Sequence, residues 1–175
     1  MGLVAMETPP AAVALDEVKA FLRVATSDED ALIAGFVRSA SMAREAFTGL
    51  ALVSREIRET VTPGAWRRLG ATPVQAIVEV TAVADDNAET PLAADSYQID
   101  IDAAGDGWVR VPNGERRARV RYTAGLAADW NGLPEPLRQG IVRLAAHLYA
   151  VRSEADAPPA CVAALWRPWR RIRLG

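Results

Sequence analysis

Leu133-Pro-Glu-Pro-Leu-Arg-Gln-Gly-Ile-Val-Arg-Leu-Ala-Ala-His-Leu-Tyr-Ala-Val-Arg152 decides how the rest of the chain must be arranged. Pro134 and Pro136 fit a first helical turn, where no amide partner is needed, and Glu135 sets negative charge at the positive end of the helix dipole. From there Leu137, Ile141, Leu144 and Leu148 recur at helical spacing with Ala145 beside them, while Arg138, Arg143 and Arg152 point elsewhere. The stretch predicts a long helix with one apolar stripe and an arginine-rich back. Gly140 interrupts it at a cost of roughly 1 kcal/mol against alanine, which is tolerable if another part of the backbone packs close there. Such a helix needs partners to cover its stripe.

Those partners lie earlier in the chain. Leu15, Val18, Phe21 and Leu22 share one face of a short helix over Asp16 to Val24, with Asp16 and Glu17 in its first turn. Ser27 then reads as a cap, with Asp30 three positions on, for a longer helix whose apolar face includes Leu32, Ile33, Phe36, Val37, Ala40 and Phe47. Thr48-Gly49 ends it. After Gly49 the period falls to two: Leu52 to Val61, Val74 to Ala84, Tyr97 to Ile101, Trp108 to Val111 and Ala118 to Thr123 read as strands. Asp85-Asp86-Asn87, Gly105-Asp106-Gly107 and Pro112-Asn113-Gly114 supply the turns. Helices flanking a small antiparallel sheet make this an α+β chain.

The chain has 175 residues, half of them apolar, which is enough for one body with a core, plus tails. Residues 1–13 lack period and read as an arm, 14–153 as the body, and 154–175 as a linker followed by a second arm. The net charge of -2 gives no general electrostatic grip on nucleic acid. Its distribution is uneven: residues 1–157 carry 16 basic and 22 acidic side chains, whereas 158–175 carry four arginines and no acid. A single cysteine, Cys161, rules out a disulfide framework and a thiol zinc site. The first residues lack the basic start of a secretory signal, and no run reaches membrane-spanning length, so manufacture in the cytoplasm and no membrane partner are expected.

Catalytic and metal patterns fail on inspection. Asp100-Ile-Asp102-Ala-Ala-Gly105 begins like a calcium loop, but Ala104 and Val111 fall where the fifth and twelfth ligands belong. Asp28, Glu29 and Asp30 are the acids expected in a first helical turn. Gly105-Asp106-Gly107 opens like a dinucleotide fingerprint, yet Arg110 replaces the third glycine and a strand follows. His147 is the only imidazole and lies beside the apolar stripe, without the constellation that nucleophilic or acid-base chemistry needs. No catalytic residue, cofactor or metal is expected. The chemistry of the chain lies instead in Leu165-Trp-Arg-Pro-Trp-Arg-Arg-Ile-Arg173. Its tryptophans and arginines suit three partners: a protein groove, phosphates and bases, or a membrane surface, where Pro168 would break a helix. A fourth reading packs the tail on its own body.

Three blocks carry a resemblance when taken together: Leu15-Asp-Glu-Val-Lys-Ala-Phe-Leu-Arg-Val24 with Asp28-Glu-Asp-Ala-Leu-Ile33, then Ala118-Arg-Val-Arg-Tyr-Thr-Ala-Gly125, then Leu133 to Ile141 with His147-Leu-Tyr149. In this order and spacing, the chain resembles the head-tail connector (adaptor) proteins of long-tailed bacteriophages and gene transfer agents. The resemblance implies a mostly helical connector fold, with about three helices and a small antiparallel sheet inserted between the second helix and the long C-terminal helix. It implies a homo-oligomeric ring of about twelve copies under the portal protein, a downstream neck protein bound below, and a place in the neck of the particle after assembly in the bacterial cytoplasm.

A C-terminal segment reaching the portal would use Leu165, Trp166, Arg167, Trp169, Arg170, Arg171, Ile172 and Arg173. Copies of a ring meet through two faces, and the candidates are the acids Asp16, Glu17, Asp28 and Glu29 on one and Arg138 and Arg143 on the other, with opposite charges favouring head-to-tail closure. A net-acidic body would let DNA pass the channel without specific binding. The alternative is a nucleic-acid-binding module that uses the same basic arm.

Overall fold

A computed structural model describes residues 5–6, 12–112, 117–151 and 159–171. The chain runs through β1 (Ala5–Met6), α1 (Ala12–Leu22), α2 (Asp30–Thr48), β2 (Arg55–Val61), β3 (Arg67–Arg68), β4 (Val74–Val83) and β5 (Glu89–Pro91). It continues through β6 (Gln98–Ile101), β7 (Gly107–Arg110), β8 (Arg117–Ala124), α3 (Glu135–Ala150) and α4 (Ala160–Trp166). Single 3-10 turns lie at Ala94–Ser96 and Arg167–Trp169. The elements separate into two compact units, one of strands and one of helices.

In the strand unit, five strands form one sheet in the order β1-β2-β8-β4-β5, and three form a second in the order β3-β7-β6. All pairings are antiparallel. β8 is central because every second residue, Ala118, Val120, Tyr122 and Ala124, is apolar and buried, while the intervening arginines face outward. β4 shifts register twice, between Val74 and Ala76 and between Ile77 and Glu79, which accounts for the irregular alternation of its sequence. Both sheets feed one core that includes Ile57, Val80, Val109, Val120 and Tyr122.

In the helical unit, α3 packs on α1, α2 and α4, so its buried surface is wider than a single stripe and takes in Val142 and Ala146 as well as Leu137, Ile141 and Leu144. Gly49 ends α2 at φ +72°, with its amide donating to Glu45 O at 2.8 Å. The start of α2 departs from expectation: the helix begins at Asp30, Glu29 holds the cap position without a side-chain cap bond, and Ser27 serves only a preceding turn.

The expected mostly helical chain with about three helices and one small sheet is corrected. Among the described residues there are four α-helices and two sheets. β1, β3 and β5 are two or three residues long, too short for a period of two to show. α4 follows Pro159 without a side-chain cap bond, and it is held by burial of Val162 and Trp166, a tertiary contact that local sequence does not signal. The expected linker at the start of 154–175 lies in 154–158, outside the described residues, as far as Pro159.

Candidate functional site

The Arg-Trp end of the chain is built onto the helical unit. Trp166 is 3 % exposed and lies over Gly140, with its indole Nε1 donating to Leu137 O at 3.4 Å. Its ring stands 6.0 Å from that of Phe47 at an interplanar angle of 54°. The guanidinium carbon of Arg170 lies 5.6 Å from the Phe47 ring centroid, within cation–π range. The Arg171 amide donates to Thr48 O at 3.0 Å, so it satisfies a carbonyl that the end of α2 leaves without a helical partner.

Trp166 thus finds its burial within its own chain. Leu165, Trp169 and Arg171 are half-buried, Arg167 and Arg170 are exposed, and Ile172 and Arg173 lie outside the described residues. Sequence reasoning missed Phe47, Thr48 and Leu137 as the lining of this seat. Its one signal was Gly140, a glycine inside an otherwise regular helix.

The charged residues expected on two separate faces are partly joined. Arg138 Nη1 stands 3.7 Å from Glu17 Oε1, and the same guanidinium pairs with Glu135 one turn away. Hydrogen bonds from Gln139 and Arg138 hold the Glu135 carboxyl below its usual range. Tyr149 OH donates to Glu29, and Lys19 joins Asp30 at 2.5 Å. Asp16, Asp28 and Arg143 are exposed. So Glu17, Glu29 and Arg138 hold helices together inside one unit, and Asp16, Asp28 and Arg143 face outward.

On the strand unit, the outer face of the five-stranded sheet carries a charge ladder. Arg121 bridges Glu56 at 3.2 Å and Glu79 at 3.1 Å, Arg119 pairs with Glu89, and Arg58 stands 3.4 Å from Glu56. The hydrogen bonds that Arg121 donates to the Glu56 and Glu79 carboxylates raise its pKa. The cleft among Arg58, Glu79, Thr81, Glu89, Arg119 and Arg121 therefore mixes both signs and offers no concentrated field to an anion or cation.

The aspartates that resemble a calcium loop serve the β6–β7 turn. Asp102 Oδ1 accepts from the amides of Ala104 and Asp106 at 2.9 Å each, and Oδ2 from Trp108 Nε1 at 3.2 Å. Among the described residues no group of three or more His, Cys, Asp or Glu side chains could hold a metal ion, and no helix is long and apolar enough to cross a membrane.

Two compact units, ion-paired faces and a seated end rich in arginine are what the described residues present to a partner. Comparison with known proteins supplies the class. The family model of phage gp6-like head-tail connector proteins matches residues 13–100, and the chain belongs to that family. It is a structural head-tail connector.

Its fold matches a chain in the neck of an empty gene transfer agent particle computed with C6 symmetry at a TM-score of 0.80, with 30% identity over 99% of this chain and 97% of that one. A chain of the virion of a native gene transfer agent particle matches at 0.79 with 31% identity and the same coverage. A chain of a native neck computed with C12 symmetry matches at 0.78 with 29% identity, again over 99% and 97%. No curated protein matches.

Proposed function

We propose that copies of this chain form a ring of about twelve in the neck of a phage or gene transfer agent particle, joining the DNA-filled head to the neck and tail. The observation that carries this reading is the match, over nearly the full length of both chains, to a subunit of a gene transfer agent neck. The portal protein lies above the ring and a downstream neck protein below it, and DNA passes through without specific binding. Asp16, Asp28 and Arg143 are the exposed charges offered to neighbouring copies, while Glu17, Glu29 and Arg138 set the helix positions behind them. Leu165, Arg167, Trp169, Arg170 and Arg171 form the portal-facing end, with Ile172 and Arg173 continuing it in sequence and Trp166 seating it.

The nucleic-acid-binding alternative loses one of the arm's two stacking groups, because the Trp166 indole is covered by Gly140 and Phe47, and Trp169 is half-buried. Removing the gene from a producing strain and imaging the particles tests the proposal. Filled heads without tails, restored to tailed particles by the unaltered gene, are expected. Normal tailed particles from the deletion strain would overturn it.

A further inference from the structure

The end of the chain is seated by Trp166 on α3, with Val162 also buried. A Cβ added at Gly140 would stand 2.0 Å from Trp166 Nε1, 2.7 Å from Cε2 and 2.9 Å from Cδ1, so glycine is what lets the indole lie on α3. α4 is only seven residues long and has no side-chain cap bond, so it does not persist in water without this contact. Beyond Trp166, the Arg171 amide closes back onto Thr48 O and Arg170 lies over Phe47, which fixes the far end of the turn at Arg167–Trp169, while Trp166 fixes the near one. Arg167 and Arg170 are left exposed, with Trp169 half-buried between them in sequence.

We infer that Arg167, Trp169 and Arg170 form a docking tip already shaped before the partner arrives, and that Gly140 and Trp166 are its positioning residues. The inference rests on the portal reading above and adds the chemistry of the contact. Residues 158–175 hold four arginines and no acid, so the complementary surface is acidic, with a flat apolar recess for the open part of the Trp169 ring. A tip ordered in the free chain loses little freedom on binding, whereas a loose arm would have to be ordered at the moment of contact. These two modes differ in what Gly140 does.

The probe is the portal ring purified from the same particle, with the full-length chain as ligand. Gly140→Ala adds one methyl group where the indole lies. Alanine is also the better helix former, so unravelling of α3 cannot explain a loss. Faster hydrogen exchange across 160–171 and at least a tenfold weaker grip on the portal are expected. Trp166→Phe in the same chain makes room for the methyl and should recover most of both. Arg167→Glu, at an exposed position, should weaken binding without altering exchange over 160–166.

Unchanged exchange in Gly140→Ala would overturn the seat. Fast exchange with undiminished portal binding, or a peptide of residues 159–175 binding as tightly as the whole chain, would overturn the preformed tip. Failure of the unaltered chain to bind the portal would overturn the portal reading and this inference with it.

Discussion

Tyr122 OH donates to Glu59 Oε2 at 2.8 Å and accepts from the Ala71 amide at 3.1 Å, so one buried phenol joins β8 to β2 and to the loop before β4. Burial is the largest cause that raises the Tyr122 pKa above its ordinary 10, and the Glu59 charge adds to it. The sign of the pH effect follows. Above pH 10 the unfolded chain gives up this proton while the folded chain keeps it. Stability from this group is therefore complete below pH 10 and falls as pH rises further, by up to about 1.4 kcal/mol per pH unit. Denaturation followed by circular dichroism between pH 8 and 12 should show the decline. Tyr122→Phe should flatten it, at a neutral-pH cost of about 1–3 kcal/mol for the Ala71 amide left without its acceptor.

Arg44 is fully buried, and it donates to Leu50 O at 3.0 Å while its Nε and Nη2 find no hydrogen-bond partner among the described residues. Burial pushes its pKa down to about 10, so it stays charged at neutral pH without full compensation. An apolar side chain of similar reach removes that cost and forfeits one bond. Arg44→Met should leave thermal stability unchanged or raise it, by up to about 2 kcal/mol, whereas Arg44→Ala should lose about 2–4 kcal/mol to the cavity. A large drop in melting temperature for the methionine variant would show that the buried cation supports the fold.

How far the sequence could be read depends on the range of the interaction concerned. The α3 stripe, the Gly49 stop of α2 and the alternation of β8 are local patterns, and each stands where the spacing places it. At Gly140 the sequence points to a close-packed stretch of backbone, whereas what approaches is a side chain, an indole 26 positions away, and nothing in either segment names the other. The same limit hid the Glu17 and Arg138 pair. Each was legible as a charge on its own helix, while their meeting depends on how α1 crosses α3. The second sheet was missed because β6 and β7 read as strands without saying which strands they join, and β3 is two residues long.

Gly125 illustrates a constraint of the close-approach kind in the strand unit. A Cβ there would stand 2.3 Å from Ser54 N and 2.5 Å from Val53 C, both backbone atoms that cannot step aside. Gly125 also accepts from Gln75 Nε2 at 2.9 Å through its carbonyl, which ties the end of β8 to the bulged start of β4. Gly125→Ala should cost at least about 3 kcal/mol or prevent soluble expression, because the clash must be relieved by moving backbone. A melting temperature within 2 °C of the parent, on the order of 0.5 kcal/mol for a domain of this size, would contradict the close approach.

The two arginines on α3 should behave differently when reversed. Arg138 is ion-paired with Glu17 on α1 and with Glu135 in its own first turn, so Arg138→Glu sets three carboxylates together and should destabilise the isolated chain by about 1–2 kcal/mol. Arg143 is exposed, and Arg143→Glu should leave the melting temperature unchanged. If copies meet through this face, Arg143→Glu should still reduce tailed particles in a complemented deletion strain. Compensation by Asp16→Arg or Asp28→Arg in the same chain would identify the acid opposite, since in a head-to-tail ring every junction then regains one charge of each sign. A normal particle count from Arg143→Glu would remove Arg143 from the junction and leave the face to be sought among the other exposed side chains of the helical unit.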